Sequence, residues 1–151
     1  MSPKFVFFGT PQFSVIILEE LASAGLLPAL VVTAPDKPAG RGMELTPPPV
    51  KVWALKHRVP VFQPEIIDPE FAYQLQTTNY DLFLVAAYGK ILPKNVLDIP
   101  AKGAINVHPS LLPRYRGASP IESQILSDEK NVGVSIMLMD EKMDHGPVLL
   151  L

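Results

Sequence analysis

The chain has 151 residues, 48% hydrophobic and 19% charged, which fits one folded domain and excludes wholesale disorder. It has no cysteine, so disulfides, thiolate metal sites and a cysteine nucleophile are excluded together, and no metal is expected. Its net charge is −2, from 13 Lys plus Arg against 15 Asp plus Glu, a weak argument against a dedicated nucleic-acid module.

In chain order, residues 4–8 (KFVFF) form a continuous apolar run closed by Gly9-Thr10-Pro11, the pattern of a strand buried on both faces. Residues 14–24 carry apolar side chains at 15, 16, 18, 21 and 22, the spacing of an amphipathic helix, and Gly25 stops it. Ala29 to Thr33 reads as a second buried strand. Residues 34–49 hold five prolines and two glycines in sixteen positions, a density that no regular element is expected to survive. The stretch is therefore expected to be a long loop, of the kind that often carries function.

Val50 to His57 reads as a short helix, Val59 to Phe62 as a strand and Pro69 to Gln76 as a helix. Asp81 to Ala87 is a strong buried strand, broken at Tyr88-Gly89-Lys90, and Pro93 to Leu97 is a helical turn. Ala104 to Val107 is a strand leading into a proline-punctuated loop, followed by a helix at 118–127 and a strand at 132–139. A last strand starts near Pro147 and runs into four aliphatic residues at 148–151, which reads as the interior of a strand. The expectation is a chain cut inside a fold, with a genuine edge strand as the alternative. The longest apolar runs fall far short of the roughly 20 residues of a membrane span. No secretory pattern opens the chain, so a soluble, cytoplasmic protein without membrane partners is expected. Strands without period-two alternation, alternating with helices, predict an α/β fold with a Rossmann-like, doubly wound, mainly parallel sheet. Its active site should lie at the carboxyl ends of the strands.

The strand from Ala104 delivers Asn106 and His108 to that end, and the two residues share one face of the strand. Asp144 follows the 132–139 strand, and adjacent strand ends would bring it near His108. An amide donor and a histidine can stabilise the oxyanion of a tetrahedral intermediate while a carboxylate tunes the histidine, which is acyl transfer without a nucleophilic side chain. Spacing alone leaves plainer accounts open. Asn106 and His108 could satisfy local backbone groups, and Asp144 could be a turn residue before Gly146.

Residues 106–113 (NVHPSLLP) resemble the Asn-x-His-x-Ser-Leu-Leu-Pro signature of the folate-dependent formyltransferases, and Asp144-His145-Gly146 resembles their Asp-x-Gly. Residues 8–14 (FGTPQFS), 35–42 (PDKPAGRG) and 87–93 (AYGKILP) are similar to the branch of that family acting on aminoacylated initiator tRNA. The resemblance runs without a gap from residue 5 to the last residue. It implies formyl transfer from 10-formyltetrahydrofolate to the α-amine of methionine on initiator tRNA, at translation initiation, by a monomer. Asn106, His108 and Asp144 are the catalytic residues it implies. Ser110, Leu111, Leu112 and Pro113 match the folate-associated segment, with Tyr88, Gly89, Ile91 and Leu92 lining the same pocket.

The resemblance also assigns the 34–49 insertion to the tRNA acceptor stem, with Lys37 and Arg41 as contacts and Arg114 and Arg116 as further phosphate candidates. Lys51, Lys56 and Arg58 are additional candidates, and for each basic residue a solvated surface charge is the plain alternative. By the same resemblance residues 1–151 are an incomplete catalytic domain, truncated at its C-terminal end and without the family's C-terminal OB-like tRNA-binding domain. A small acceptor amine, such as a glycinamide ribonucleotide or an aminosugar, and an inert folate-binding fragment are the competing readings. The insertion disfavours the small acceptor, which gives no reason for it.

Overall fold

The computed structural model describes residues 2–39 and 42–151. β1 (Phe5–Gly9) leads into α1 (Gln12–Ser23), β2 (Leu30–Val32) and a hairpin of β3 (Lys37–Ala39) and β4 (Glu44–Thr46). Next come α2 (Pro49–Lys56), β5 (Val61–Phe62), α3 (Pro69–Gln76), β6 (Leu82–Ala86), α4 (Lys94–Leu97) and β7 (Ala104–His108). α5 (Pro120–Leu126), β8 (Ser135–Leu138) and β9 (Val148–Leu150) complete the elements. α2, α3 and α5 each carry proline in the first turn, where its missing N–H costs no hydrogen bond. Asp68 caps α3 by accepting the Phe71 N–H at 2.9 Å.

The main sheet runs β5-β2-β1-β6-β7-β8-β9. Its first five strands are mutually parallel, while β8 is antiparallel to β7 and β9 to β8. This is the mainly parallel α/β sheet that the apolar runs predict. β1 is buried at all five positions and sends alternate side chains to opposite faces. Val6 and Phe8 join Phe83, Val85 and the α3–α4 side chains Phe71, Leu75, Val96 and Leu97. Phe5 and Phe7 join Leu84, Ala86 and the α1–α2 side chains Leu18, Val50, Trp53 and Ala54. Each fully buried phenylalanine contributes about 1.5–3 kcal/mol, so the doubly wound arrangement follows from an apolar strand that must cover both faces.

The chain leaves β1 for β2 and β5 on one side and returns to β6 and β7 on the other, so strand order reverses between β1 and β6. Backbones approach closely at that crevice. A Cβ on Gly9 would lie 2.7 Å from Ser14 Cβ and 2.8 Å from the Ala86 carbonyl oxygen. Glycine is what allows Ser14 Oγ to donate to that carbonyl at 2.6 Å, pinning the start of α1 to β6.

Two expectations require correction. Residues 34–49 are not an unstructured loop, because β3 and β4 pair antiparallel with Pro38 opposite Leu45. A two-stranded ribbon has only edge strands, where a proline without an N–H is tolerated. Prolines 48 and 49 start α2 rather than break anything. The second correction concerns β8. It begins beside His108 and ends beside Ile105, so its carboxyl end lies at the far end of β7 from His108. Among the described residues no helix is long and apolar enough to cross a membrane.

Candidate active site

His108 ends β7, only 4% exposed. Its Nε2 lies 2.9 Å from the Tyr115 carbonyl oxygen. A carbonyl can only accept, so Nε2 carries the hydrogen of this bond. That leaves Nδ1 to face Asp144, whose Oδ1 is 3.6 Å away. This is a charge contact rather than a hydrogen bond. Asp144 Oδ2 accepts the Gly117 N–H at 2.8 Å, and the Asp144 side chain is 10% exposed. A carboxylate and an imidazole thus face each other in a site that excludes most water, where their interaction is strengthened.

The loop after β7 is closed by serine hydroxyls. Ser110 Oγ donates to the Arg114 carbonyl at 2.7 Å. Ser135 Oγ, on β8, donates to the Ser110 carbonyl at 2.6 Å and accepts the Leu112 N–H at 3.0 Å. Tyr115 and Gly117 both have positive φ, 56° and 105°, which turns the Tyr115 carbonyl and the Gly117 N–H towards the His–Asp pair.

Asp144 does not arrive from a neighbouring strand end, as expected from sequence. Residues 139–147 instead fold back towards His108, with the Leu138 N–H on the Pro147 carbonyl at 2.9 Å. Gly146 lies against the Leu138 carbonyl, and any Cβ there would overlap that oxygen. Asp140 braces the same segment, accepting the Lys142 N–H at 2.8 Å with His145 Nδ1 2.8 Å from its other oxygen. The His145 contact, then the Lys142 N–H, holds the Asp140 carboxyl below the usual carboxylate range.

A cavity of about 130 Å³ opens beside Asp144, lined by Lys90, Ile91, Leu92, Asn106, Met137, Met139 and residues 140–144. It brings together four of the residues singled out from sequence, namely Ile91, Leu92, Asn106 and Asp144. It does not include His108, Tyr88, Gly89 or residues 110–113. Ser110 and Leu112 are buried within their own loop, Leu111 is half-buried and Pro113 is exposed. Tyr88 points into the core, its ring 5.5 Å from Phe8. Burial pushes its hydroxyl up to about 12, and that hydroxyl has no hydrogen-bond partner among the described residues. Sequence reasoning missed Met137, Met139 and residues 140–143. Met137 becomes visible only through the register that pairs it with Asn106. The 140–143 stretch could have been found as the run leading into Asp144.

Among the basic residues, Lys37 is exposed at the start of β3, and Lys56, Arg58 and Arg116 are exposed. Arg41 lies outside the described residues. Lys51 is not free, since it pairs with Asp36 at 2.7 Å while Gln63 Nε2 donates to the same carboxylate at 2.7 Å. Arg114 pairs with Glu129.

Residues 3–151 match the protein-family model described as Formyl transferase. The chain is 51% identical over 149 residues to the methionyl-tRNA formyltransferase of Halorhodospira halophila, covering 99% of this chain and 48% of that protein. It is 53% identical over 148 residues to the methionyl-tRNA formyltransferase of Syntrophus aciditrophicus, covering 97% of this chain and 47% of that protein. The chain therefore spans about half the length of these curated relatives. Among solved structures it superposes on the phosphoribosylglycinamide formyltransferase of Bacillus halodurans with a TM-score of 0.74 and 27% identity. That superposition covers 96% of this chain and 76% of the other.

Proposed function

Since the chain belongs to the formyl transferase family, we propose that it carries the formyl-transfer site of an enzyme that formylates the α-amine of methionyl-initiator tRNA at the start of translation. The observation that carries this reading is the buried His108–Asp144 pair, whose Asp144 lines one cavity together with Asn106. The formyl donor in this reading is 10-formyltetrahydrofolate, which supplies the one-carbon group. The cavity suits the flat, polar head of such a donor, because Leu92, Met137 and Met139 offer apolar walls while Asn106 and Asp144 offer polar groups.

The residues divide the work by position. Asn106 donates its amide N–H to the formyl oxygen as negative charge develops there. His108, held through Nε2 by the Tyr115 carbonyl, acts on the same oxygen as an imidazolium, whose Nδ1–H donates to it. Asp144 stabilises positive charge on the imidazole and takes the proton leaving the amine, which passes to the tetrahydrofolate nitrogen as its bond to the formyl carbon breaks, while the Gly117 N–H keeps the carboxylate in place. The exposed β3–β4 hairpin, with Lys37 at its start and Arg41 between its strands in sequence, gives the reading a surface for the tRNA acceptor stem.

One observation favours a second reading. The superposition on the phosphoribosylglycinamide formyltransferase is compatible with a small acceptor amine. The deciding experiment supplies 10-formyltetrahydrofolate to the full-length gene product with charged initiator tRNA, glycinamide ribonucleotide or an aminosugar in parallel. Formylation of the tRNA alone is expected. Transfer only to a small amine would replace this reading with the second, and transfer to none would remove both.

A further inference from the structure

Glu129, in the turn after α5, has no part in the chemistry above, yet its side chain is only 11% exposed and fully engaged. Oε2 accepts the Tyr115 hydroxyl at 3.0 Å and pairs with the Arg114 guanidinium. Oε1 accepts the Asn131 N–H at 2.9 Å. The Arg114 guanidinium also covers the Tyr115 ring, 5.3 Å from its centroid. One carboxylate thus ties residues 114 and 115 to the turn at 128–131.

What it ties down touches both members of the catalytic pair. The Tyr115 carbonyl takes the hydrogen of His108 Nε2, and two residues later the Gly117 N–H holds Asp144 Oδ2. Tyr115 does this at φ 56°, a left-handed conformation that a residue with a bulky side chain keeps only where its surroundings hold it. The ring cannot relax while its hydroxyl is bound to Glu129.

We propose that Glu129 is a positioning residue, which by anchoring the Tyr115 side chain fixes the carbonyl that orients the His108 imidazole. The inference rests on the formyl-transfer reading of His108. Without Glu129 the 114–117 backbone can leave its left-handed turn, the Nε2 hydrogen bond is lost, and the ring is free to take its other tautomer. A misplacement of about 1 Å at a reacting group can cost up to a hundredfold in rate.

The test is a set of variants in the full-length gene product, with turnover expressed per folate-analogue binding site so that misfolded molecules are not counted. Glu129→Ala is expected to lower kcat roughly tenfold and to leave both KM values within about twofold. Tyr115→Phe should lower kcat less, and the double variant should fall no further than Glu129→Ala, because both remove the same link. Glu129→Gln, whose one amide oxygen can keep the Asn131 N–H while its NH2 donates to the Tyr115 hydroxyl oxygen, should recover most of the turnover. Nitrogen-15 shifts of the His108 imidazole give a reading that needs no activity: the Nε2–H form in the parent and a mixture of tautomers in Glu129→Ala.

Unchanged kcat and unchanged imidazole shifts in a folded Glu129→Ala protein would overturn the inference. So would Glu129→Gln losing as much as Glu129→Ala. Should Glu129→Ala fail to fold, Tyr115→Phe carries the test alone, and full turnover with parental shifts overturns it. A parent that transfers formyl to no amine would instead remove the reading beneath it, and the imidazole shifts would still report the geometry.

Discussion

Asp144→Asn isolates the charge of the candidate site with little change of shape. The amide oxygen can keep the Gly117 N–H that Oδ2 holds at 2.8 Å, so the 139–147 segment should stay folded. What disappears is the attraction between the carboxylate and an imidazole carrying positive charge, across the 3.6 Å from Oδ1 to Nδ1. At an effective dielectric of about 20 that attraction is about 4.6 kcal/mol, and an asparagine dipole returns part of it. A loss of about 3 kcal/mol lowers kcat roughly a hundredfold, at about 1.4 kcal/mol per decade. The assay is steady-state formyl transfer with both substrates saturating, beside a thermal melt to verify folding. His108→Ala should cost at least as much. If the pair acts as one unit, the double variant should fall no further than the worse single. Turnover within fivefold of the parent in a folded Asp144→Asn protein would refute a catalytic role for this carboxylate.

Other substitutions probe the backbone approaches that shape the crevice and the site. Gly9→Ala should cost about 1–3 kcal/mol through overpacking, because Ser14 Cβ and the Ala86 carbonyl, within 2.8 Å of the new methyl, are fixed by backbone. A urea titration with an unchanged midpoint would count against this packing. Gly146→Ala should displace the 139–147 segment from Leu138 and remove activity more completely than stability, as turnover and a melt measured on the same sample would reveal. Tyr88 should ionise only towards about pH 12 in a phenolate-absorbance titration, and Tyr88→Phe should delete that step. The fold favours its neutral form. That contribution is therefore complete below the ordinary value of 10.0 and is lost as pH rises through about 12.

Legibility from sequence tracked burial. The strands from Phe5, Leu30, Leu82 and Ala104 are apolar runs because both faces of the sheet are covered, so composition alone identifies them. The β3–β4 hairpin left no such mark. Its described residues from Gly42 to Thr46 are all exposed, and prolines that ordinarily punctuate loops sit on its edges. Asn106, His108 and Asp144 were found as candidates from position and chemistry, but the path of Asp144 was misjudged. A helix between two strands usually signals a parallel crossover. α5 has only seven residues, and the chain re-enters the sheet beside His108, where Ser135 pairs with it. Strand direction at that point depends on length and closure, which residue types do not encode. The engagement of the Ser110 hydroxyl and the Leu112 N–H within the loop after β7 has a similar origin, since only the folded loop brings their partners to them.

The His–Asp pair is also divided between two parts of the molecule of unequal permanence. His108 belongs to a strand flanked on both sides within the sheet, whereas Asp144 rides on the link between β8 and β9, the outermost pair among the described strands. β9 is exposed at all three positions. In these 151 residues taken alone, amide protons of β1, β6 and β7 should therefore outlast those of residues 136–150 in hydrogen exchange, since sparsely packed edges open at lower free energy than the centre. In these 151 residues taken alone the half carrying Asp144 is then the less durable, and warming should part it from His108 while the central sheet is still intact.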